Sequence, residues 1–207
     1  PELWIGSNNK KKRAELSRLL APLDIVLRTP DELGQDFAPI EDQPDFAGNA
    51  RKKATLLANL SGGIALADDS GLCVDALDGR PGVLSARYGG PGLDDRGRLL
   101  RLLEELGDRP VEQRSGRFVC SLCLAAPGDR VLASIEAACE GVLLTEPTGD
   151  EGFGYDPIFV PVEYADDPSQ SFAVLGAEIK DRLSHRGKAL RQLAKDLPQL
   201  IASESQA

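Results

Sequence analysis

The sequence predicts an α/β protein with a mixed central sheet and flanking helices, and three observations carry that reading. Short apolar runs alternate with stretches of helical spacing through the first half of the chain. A hairpin pattern follows, with β-like runs from Arg117 to Ala125 and from Arg130 to Cys139 on either side of Pro127-Gly128-Asp129. The composition is that of a globular protein: 207 residues, 42% hydrophobic and 28% charged. That length suits one domain over residues 1–207. The hairpin makes the sheet mixed rather than purely parallel.

Taken in order, Leu3-Trp4-Ile5 reads as a buried strand ended by Gly6. Leu16, Leu19, Leu20 and Leu23 then recur at helical spacing. Thr29 to Asp45, rich in proline and acids, reads as a surface connection. Asn49 to Leu60 is a second helix. Ile64 to Ala67 is a short strand running into Asp68-Asp69-Ser70-Gly71, and Leu93 to Leu106 is a leucine-rich helix. Ile158 to Val160 is a further short strand, while Ser171 to Lys180 fits neither period. Ala189, Leu190, Leu193 and Leu197 mark a final amphipathic helix with Ser184 as its candidate N-cap.

Charge and cysteine usage narrow the function. Thirty-three acids against 24 Lys and Arg give a net charge of −9, the opposite sign from a duplex-DNA binder. A local basic pocket for a small anion stays compatible with it. The chain has no run of 18 apolar residues and does not open with the basic, apolar and small blocks of a signal peptide. No nucleic-acid or membrane partner is expected. Cys73, Cys120, Cys123 and Cys139 sit in apolar stretches, as reduced thiols of a cytoplasmic protein do. Cys120-x-x-Cys123 has half of a zinc-knuckle spacing, but residues three apart on a strand face opposite sides, and the chain has one histidine. No zinc is expected.

Four segments carry candidate chemistry. Ser7, Asn8, Asn9, Lys10, Lys11 and Lys12 lie on a strand-to-helix turn, where free N–H groups, amides and ammonium groups attract anions. A Ser or Asn cap before a solvated lysine run fits the same residues. Asp68 and Asp69 follow a strand; on extended backbone they point apart, so one can face a cleft while the other pairs. A carboxylate there can hold Mg²⁺, though Asp-Ser-Gly is also an ordinary turn. In Gly149-Asp150-Glu151-Gly152-Phe153-Gly154-Tyr155-Asp156-Pro157, three glycines surround an aromatic pair that reads as exposed; glycines allow close approach of backbone to ligand and an aromatic face can stack on a base. The alternative is a flexible loop with Phe153 in the core. Ser184-His185-Arg186-Gly187 places the single histidine beside an arginine, with Lys180 just upstream.

Together these motifs resemble the inosine/xanthosine triphosphate pyrophosphatase (Ham1-like) family over nearly the whole chain. The resemblance rests on Ser7-x-Asn9-x-x-Lys12, Phe46-x-x-Asn49-Ala50 with Lys53-Ala54, and Ala67-Asp68-Asp69-Ser70-Gly71-Leu72. It continues through Pro81-Gly82 with Ser85-Ala86-Arg87-Tyr88, the Gly152–Pro157 loop, and Ser184-His185-Arg186-Gly187. It implies an elongated two-lobed domain with a substrate cleft, usually a homodimer. It implies Mg²⁺-dependent cleavage of ITP, dITP and XTP to the monophosphate and pyrophosphate. By the same resemblance, Ser7 to Lys12 hold phosphates, Asp69 is the catalytic and metal residue, and Ser70 touches substrate. Phe153, Gly154, Tyr155, Asp156, Lys180, His185 and Arg186 surround the base, with Lys180 or Arg186 donating to O6 and Asp156 accepting from N1–H. The family pattern has a glutamate, implied as a metal ligand, where this chain has Gly48; water, Asp68 or an acid from Glu41 to Asp45 is the expected substitute. The competing readings are a Maf-type nucleotide pyrophosphatase and a nucleotide-binding protein without activity.

Overall fold

A computed structural model describes residues 1–205. Six strands form one sheet in the order β2-β1-β3-β4-β5-β6. They are β1 Glu2–Ile5, β2 Val26–Arg28, β3 Ala65–Val74, β4 Ser115–Ala126, β5 Arg130–Leu143 and β6 Phe159–Pro161. β1 runs parallel to β2 and β3, whereas β5 and β6 are antiparallel, so the sheet is mixed as the sequence predicts. The helices are α1 Lys10–Leu20, α2 Phe46–Ser61, α3 Asp95–Leu106, α4 Phe172–Leu183, α5 His185–Ala194 and α6 Leu197–Glu204. No helix among the described residues is long and apolar enough to cross a membrane.

The chain divides into two compact units. The first holds Pro1–Asp69, Cys120–Ala137 and the chain from Gly187 on; the second holds Ser70–Val119 and Ala138–Arg186. β3, β4 and β5 each continue from one unit into the other.

Within the first unit, alternation along the strands builds two cores. Leu3, Ile5, Leu66, Cys120, Leu122 and Leu124 pack with Leu16 and Leu20 of α1 and Ala189, Leu190 and Leu193 of α5. Ala65, Ala67, Cys123 and Ala125 face Ala50, Ala54, Leu57 and Ala58 of α2. Cys120 and Cys123 therefore lie on opposite faces of β4, as their spacing requires. Burial pushes the Cys123 thiol up to about 11, which leaves it inert. In the second unit Leu99, Leu102 and Leu106 of α3 pack with Leu72, Val74, Phe118, Phe159 and Phe172. The Phe118 and Phe159 ring centroids stand 4.4 Å apart.

Several elements differ from the sequence expectation. β3 does not stop at Ala67: it runs unbroken through Asp68-Asp69-Ser70-Gly71 to Val74, so that motif is strand and not turn. β2 is a three-residue strand that the pattern did not show. α2 starts at Phe46, three residues early, because Asp45 caps it by accepting from Gly48 N–H. The ambiguous stretch near Ser171 is α4, broken by Gly176 at φ 82° and ψ 171°. That backbone is outside the helical region and open mainly to glycine.

Candidate active site

The first unit gathers the charged groups around β3. Gly6 lets β1 come close to it: a Cβ there would lie 2.9 Å from Ala67 Cβ, and Gly6 N–H donates to Leu66 carbonyl at 2.7 Å. The Ser7–Lys12 turn thereby starts beside the part of β3 that carries Asp68. In that turn Ser7 Oγ accepts from Asn9 N–H at 3.1 Å. Asn9 Oδ1 accepts from the N–H groups of Lys11 and Lys12 at 3.0 and 3.1 Å, which makes Asn9 the N-cap of α1. Asn8 donates its amide to Phe37 carbonyl at 2.8 Å. Lys10 and Lys11 are exposed. Lys12 turns inward, its Nζ 3.6 Å from the buried Asp68 Oδ2.

The adjacent carboxylates point apart, as extended backbone demands. Asp68 pairs with Lys12 on α1. Asp69 faces α2, where its Oδ2 accepts from Asn49 Nδ2 at 3.0 Å and its Oδ1 lies 3.8 Å from Lys53 Nζ. Asn49 and Lys53 are four residues apart on α2 and share a face. Lys53 Nζ also pairs with Glu41 at 2.7 Å. Burial raises the Asp69 carboxyl above its ordinary range, and Lys53 and Asn49 offset this only in part. Burial alone would lower Lys53, but Asp68, Asp69 and Glu41 outweigh it, so the ammonium is held more firmly charged than usual.

A side chain at position 48 would be crowded by the residues just before α2. A Cβ built on Gly48 would meet Gln43 Cβ at 2.8 Å and Asp45 Oδ1 at 2.9 Å. Of the acids from Glu41 to Asp45, Asp42 pairs with Lys52 and Asp45 caps α2. Glu41 is the one that reaches Lys53 and so joins Asp69. Gly48→Glu is accordingly expected to lower stability by about 1–3 kcal/mol through overpacking against Gln43. Urea unfolding measures it; unchanged stability with a lower Mg²⁺ requirement would instead put that side chain beside Asp69.

The second unit gathers the remaining predicted residues. Arg186 is buried at 1% exposure and its Nη2 donates to Ser70 Oγ at 2.8 Å. His185 stacks on Phe118, with centroids 4.9 Å apart, as part of the aromatic core. Asp156 Oδ2 accepts from Lys180 Nζ at 2.7 Å and from Phe153 N–H at 3.0 Å. The Lys180 ammonium also lies 4.5 Å from the Phe153 ring centre. One sequence expectation changes here. Tyr155 is not an exposed aromatic: it is buried in the core and its Oη donates to Ser85 carbonyl at 2.7 Å. Asp156 Oδ2 thus meets both Lys180 and its own loop.

The first unit thus holds an acid on a strand within a lysine–carboxylate cluster, and the second holds a loop–lysine pair, in the motif order noted above. A model of the Ham1 family matches residues 3–196. The chain belongs to the Ham1 family. A dITP/XTP pyrophosphatase of Corynebacterium glutamicum is 44% identical, over 98% of this chain and 99% of that protein. One of Gloeobacter violaceus is 46% identical, over 92% and 91%. Among solved structures, a HAM1 protein from Coxiella burnetii superposes with a TM-score of 0.82 at 36% identity, over 96% of this chain and 98% of that one. The Staphylococcus aureus Ham1 protein gives 0.83 at 32% identity, over 96% and 99%.

Within this Ham1 chain, Asn49 and Lys53, quoted above in the motif without a role, and Glu41, one of the substitute acids, gather around Asp69. A signal existed for two of them: a buried-face pattern of Ala50, Ala54 and Leu57 carries Asn49 and Lys53 on the same helix. Glu41 was one of the acids in the expected stretch from Glu41 to Asp45, but a connection without periodicity did not distinguish it from Asp42 or Asp45.

Proposed function

We propose that this protein hydrolyses deaminated purine nucleoside triphosphates, ITP, dITP and XTP, to the monophosphate and pyrophosphate, and so clears them from the nucleotide pool. The observation that carries the reading is the β3 arrangement, with Asp69 set against Asn49 and Lys53 while Asp68 holds Lys12. The names of the Ham1 relatives supply the substrate class.

The residues fit Mg²⁺ as cofactor. Among the described residues no three His, Cys, Asp or Glu groups stand ready to hold a metal. Mg²⁺, however, is bound by one or two carboxylates together with substrate phosphates and waters, and Asp69 and Glu41 supply two carboxylates around one ammonium. When bound there, the cation neutralises phosphate charge and polarises the reacting centre. Asp69 orients and deprotonates the attacking water. Its Asn49 anchor suits a base fixed in one orientation. Lys12 offers its ammonium to the phosphates, with Asp68 setting its direction. The leaving pyrophosphate is a stable anion, so the chain needs no covalent nucleophile.

At the base, Phe153 presents a ring for stacking, and Lys180 and Arg186 donate to the 6-oxo group. Adenine would turn an amino donor toward these cations. A mismatch of that kind discriminates by roughly 10⁴ in favourable sites. The Ham1 resemblance also supports a homodimer and a cytoplasmic location; light scattering reads the first.

A panel of ITP, XTP, GTP, ATP and dTTP, assayed for pyrophosphate with and without Mg²⁺, tests the reading. Release is expected from ITP and XTP, dependent on Mg²⁺. Preferential hydrolysis of dTTP would favour the Maf-type alternative, and no turnover of any nucleotide would favour a binding protein. Lys12→Ala is expected to weaken triphosphate binding by about 1.5–3 kcal/mol, the range for a charge-assisted hydrogen bond. Titration calorimetry with ITP and with inosine should show the loss for ITP alone; equal losses would remove Lys12 from the phosphates.

A further inference from the structure

The loop that presents Phe153 is held from two sides. Phe153 N–H donates to Asp156 Oδ2 at 3.0 Å, within the loop itself. Gly154 N–H, the next amide, donates out of the loop to Asp95 Oδ2 at 3.1 Å. Asp95 is the first residue of α3 and lies 59 positions earlier in the chain. Its other oxygen accepts from Arg98 Nη2 at 2.9 Å, one turn along the same helix. The two peptide groups that flank the Phe153 Cα thus each end on a carboxylate, one local and one remote. All of these residues belong to the second unit.

A peptide group is planar, so an acceptor that holds its N–H also fixes the carbonyl on its other side. With both flanking groups held, the φ and ψ of Phe153 are set and its ring has one direction in which to point. Gly154 is where the loop needs a hold. Its φ is 61°, and a glycine moves from there to many other conformations without steric cost. A backbone N–H bound to a carboxylate is among the stronger hydrogen bonds a protein makes. A helix also carries its acceptor on a firmer base than a loop does. We propose that Asp95 is a positioning residue for base binding: through Gly154 N–H it fixes the Phe153 ring on which the base stacks, with Arg98 directing the carboxylate. The inference rests on the functional reading above, in which Phe153 is the stacking surface, and adds to it a residue outside every motif of the sequence.

The test separates a ligand that has a base from one that has none. Asp95→Ala is expected to raise KM for ITP by about tenfold, the low end for a hydrogen bond to a charged group. Its kcat should stay within about threefold, because stacking is made in the ground state and the transition state alike. Inhibition by pyrophosphate, which has no base, should change by less than about twofold on the same argument; general loosening of the fold would weaken both. Asp95→Asn, which keeps an oxygen acceptor, should restore most of the KM. In a Phe153→Ala protein, Asp95→Ala should cost less than about twofold more, because the two act as one unit. Amide exchange reads the contact itself: Gly154 N–H should exchange faster in Asp95→Ala, and an unchanged rate would overturn the inference. The alanine protein is expected to fold, since the Asp95 side chain is half-exposed and Asp94 still caps α3 by accepting from Gly97 N–H at 2.7 Å. Should it not, Asp95→Ser, whose side chain stops short of the Gly154 amide, gives the same comparison. An unchanged KM, an equal loss for pyrophosphate, or losses that multiply in the double variant would overturn the inference alone. Absence of ITP turnover in the unsubstituted protein would overturn the functional reading and this inference with it.

Discussion

Asp69→Asn is expected to leave a folded protein whose pyrophosphate release from ITP falls by about a thousandfold or more, within the range for loss of a positioned base. The amide has the carboxylate's shape and can turn its oxygen to Asn49 Nδ2, which donates across 3.0 Å in the native chain. What it loses is the charge beside Lys53 and the basic lone pair. Removing a buried carboxylate whose charged form is already disfavoured should change stability little. Circular dichroism and initial rates at saturating Mg²⁺ check both halves. A folded variant with near-normal rate would move the base to Asp68 or Glu41.

Lys180→Met should have the largest effect on stability. The ion pair it breaks is buried on both sides, with side-chain exposures of 5% for Lys180 and 3% for Asp156. Losing one member of such a pair costs about 3–5 kcal/mol, because the other charge is left in a poor solvent. The Phe153 ring would also lose the ammonium that lies against it. Denaturant unfolding measures the loss. Combining Lys180→Met with Asp156→Leu should recover most of it, since no buried charge then remains. A double variant no more stable than the single would mean that Lys180 stabilises by packing rather than by pairing.

Much of this was legible in the sequence, and the exceptions have physical reasons. The opposite orientation of Asp68 and Asp69 follows from the two-residue period of extended backbone, and so does the separation of Cys120 from Cys123. The length of β3 was not legible, because Asp-Asp-Ser-Gly has turn composition. In the structure the buried carboxylates of Asp68 and Asp69 find Lys12 and Lys53, so the strand carries on through them. Glu41 was one of several acids in a connection read as surface, and what singles it out is a contact with a helix residue twelve positions on. Tyr155 read as an exposed aromatic because glycines flank it. Its burial depends on a hydroxyl partner at Ser85, seventy residues away, which no local pattern encodes. The same holds for Asp156, whose chemistry is decided by Lys180 on another element.

Hydrolysis of ITP in ¹⁸O-enriched water is the most direct test of the central claim, that this Ham1 chain directs water at the α-phosphorus of a deaminated purine triphosphate. With products separated and weighed by mass spectrometry, the account predicts IMP carrying one ¹⁸O and unlabelled pyrophosphate. Label in pyrophosphate, or IDP and phosphate as the products, would contradict it.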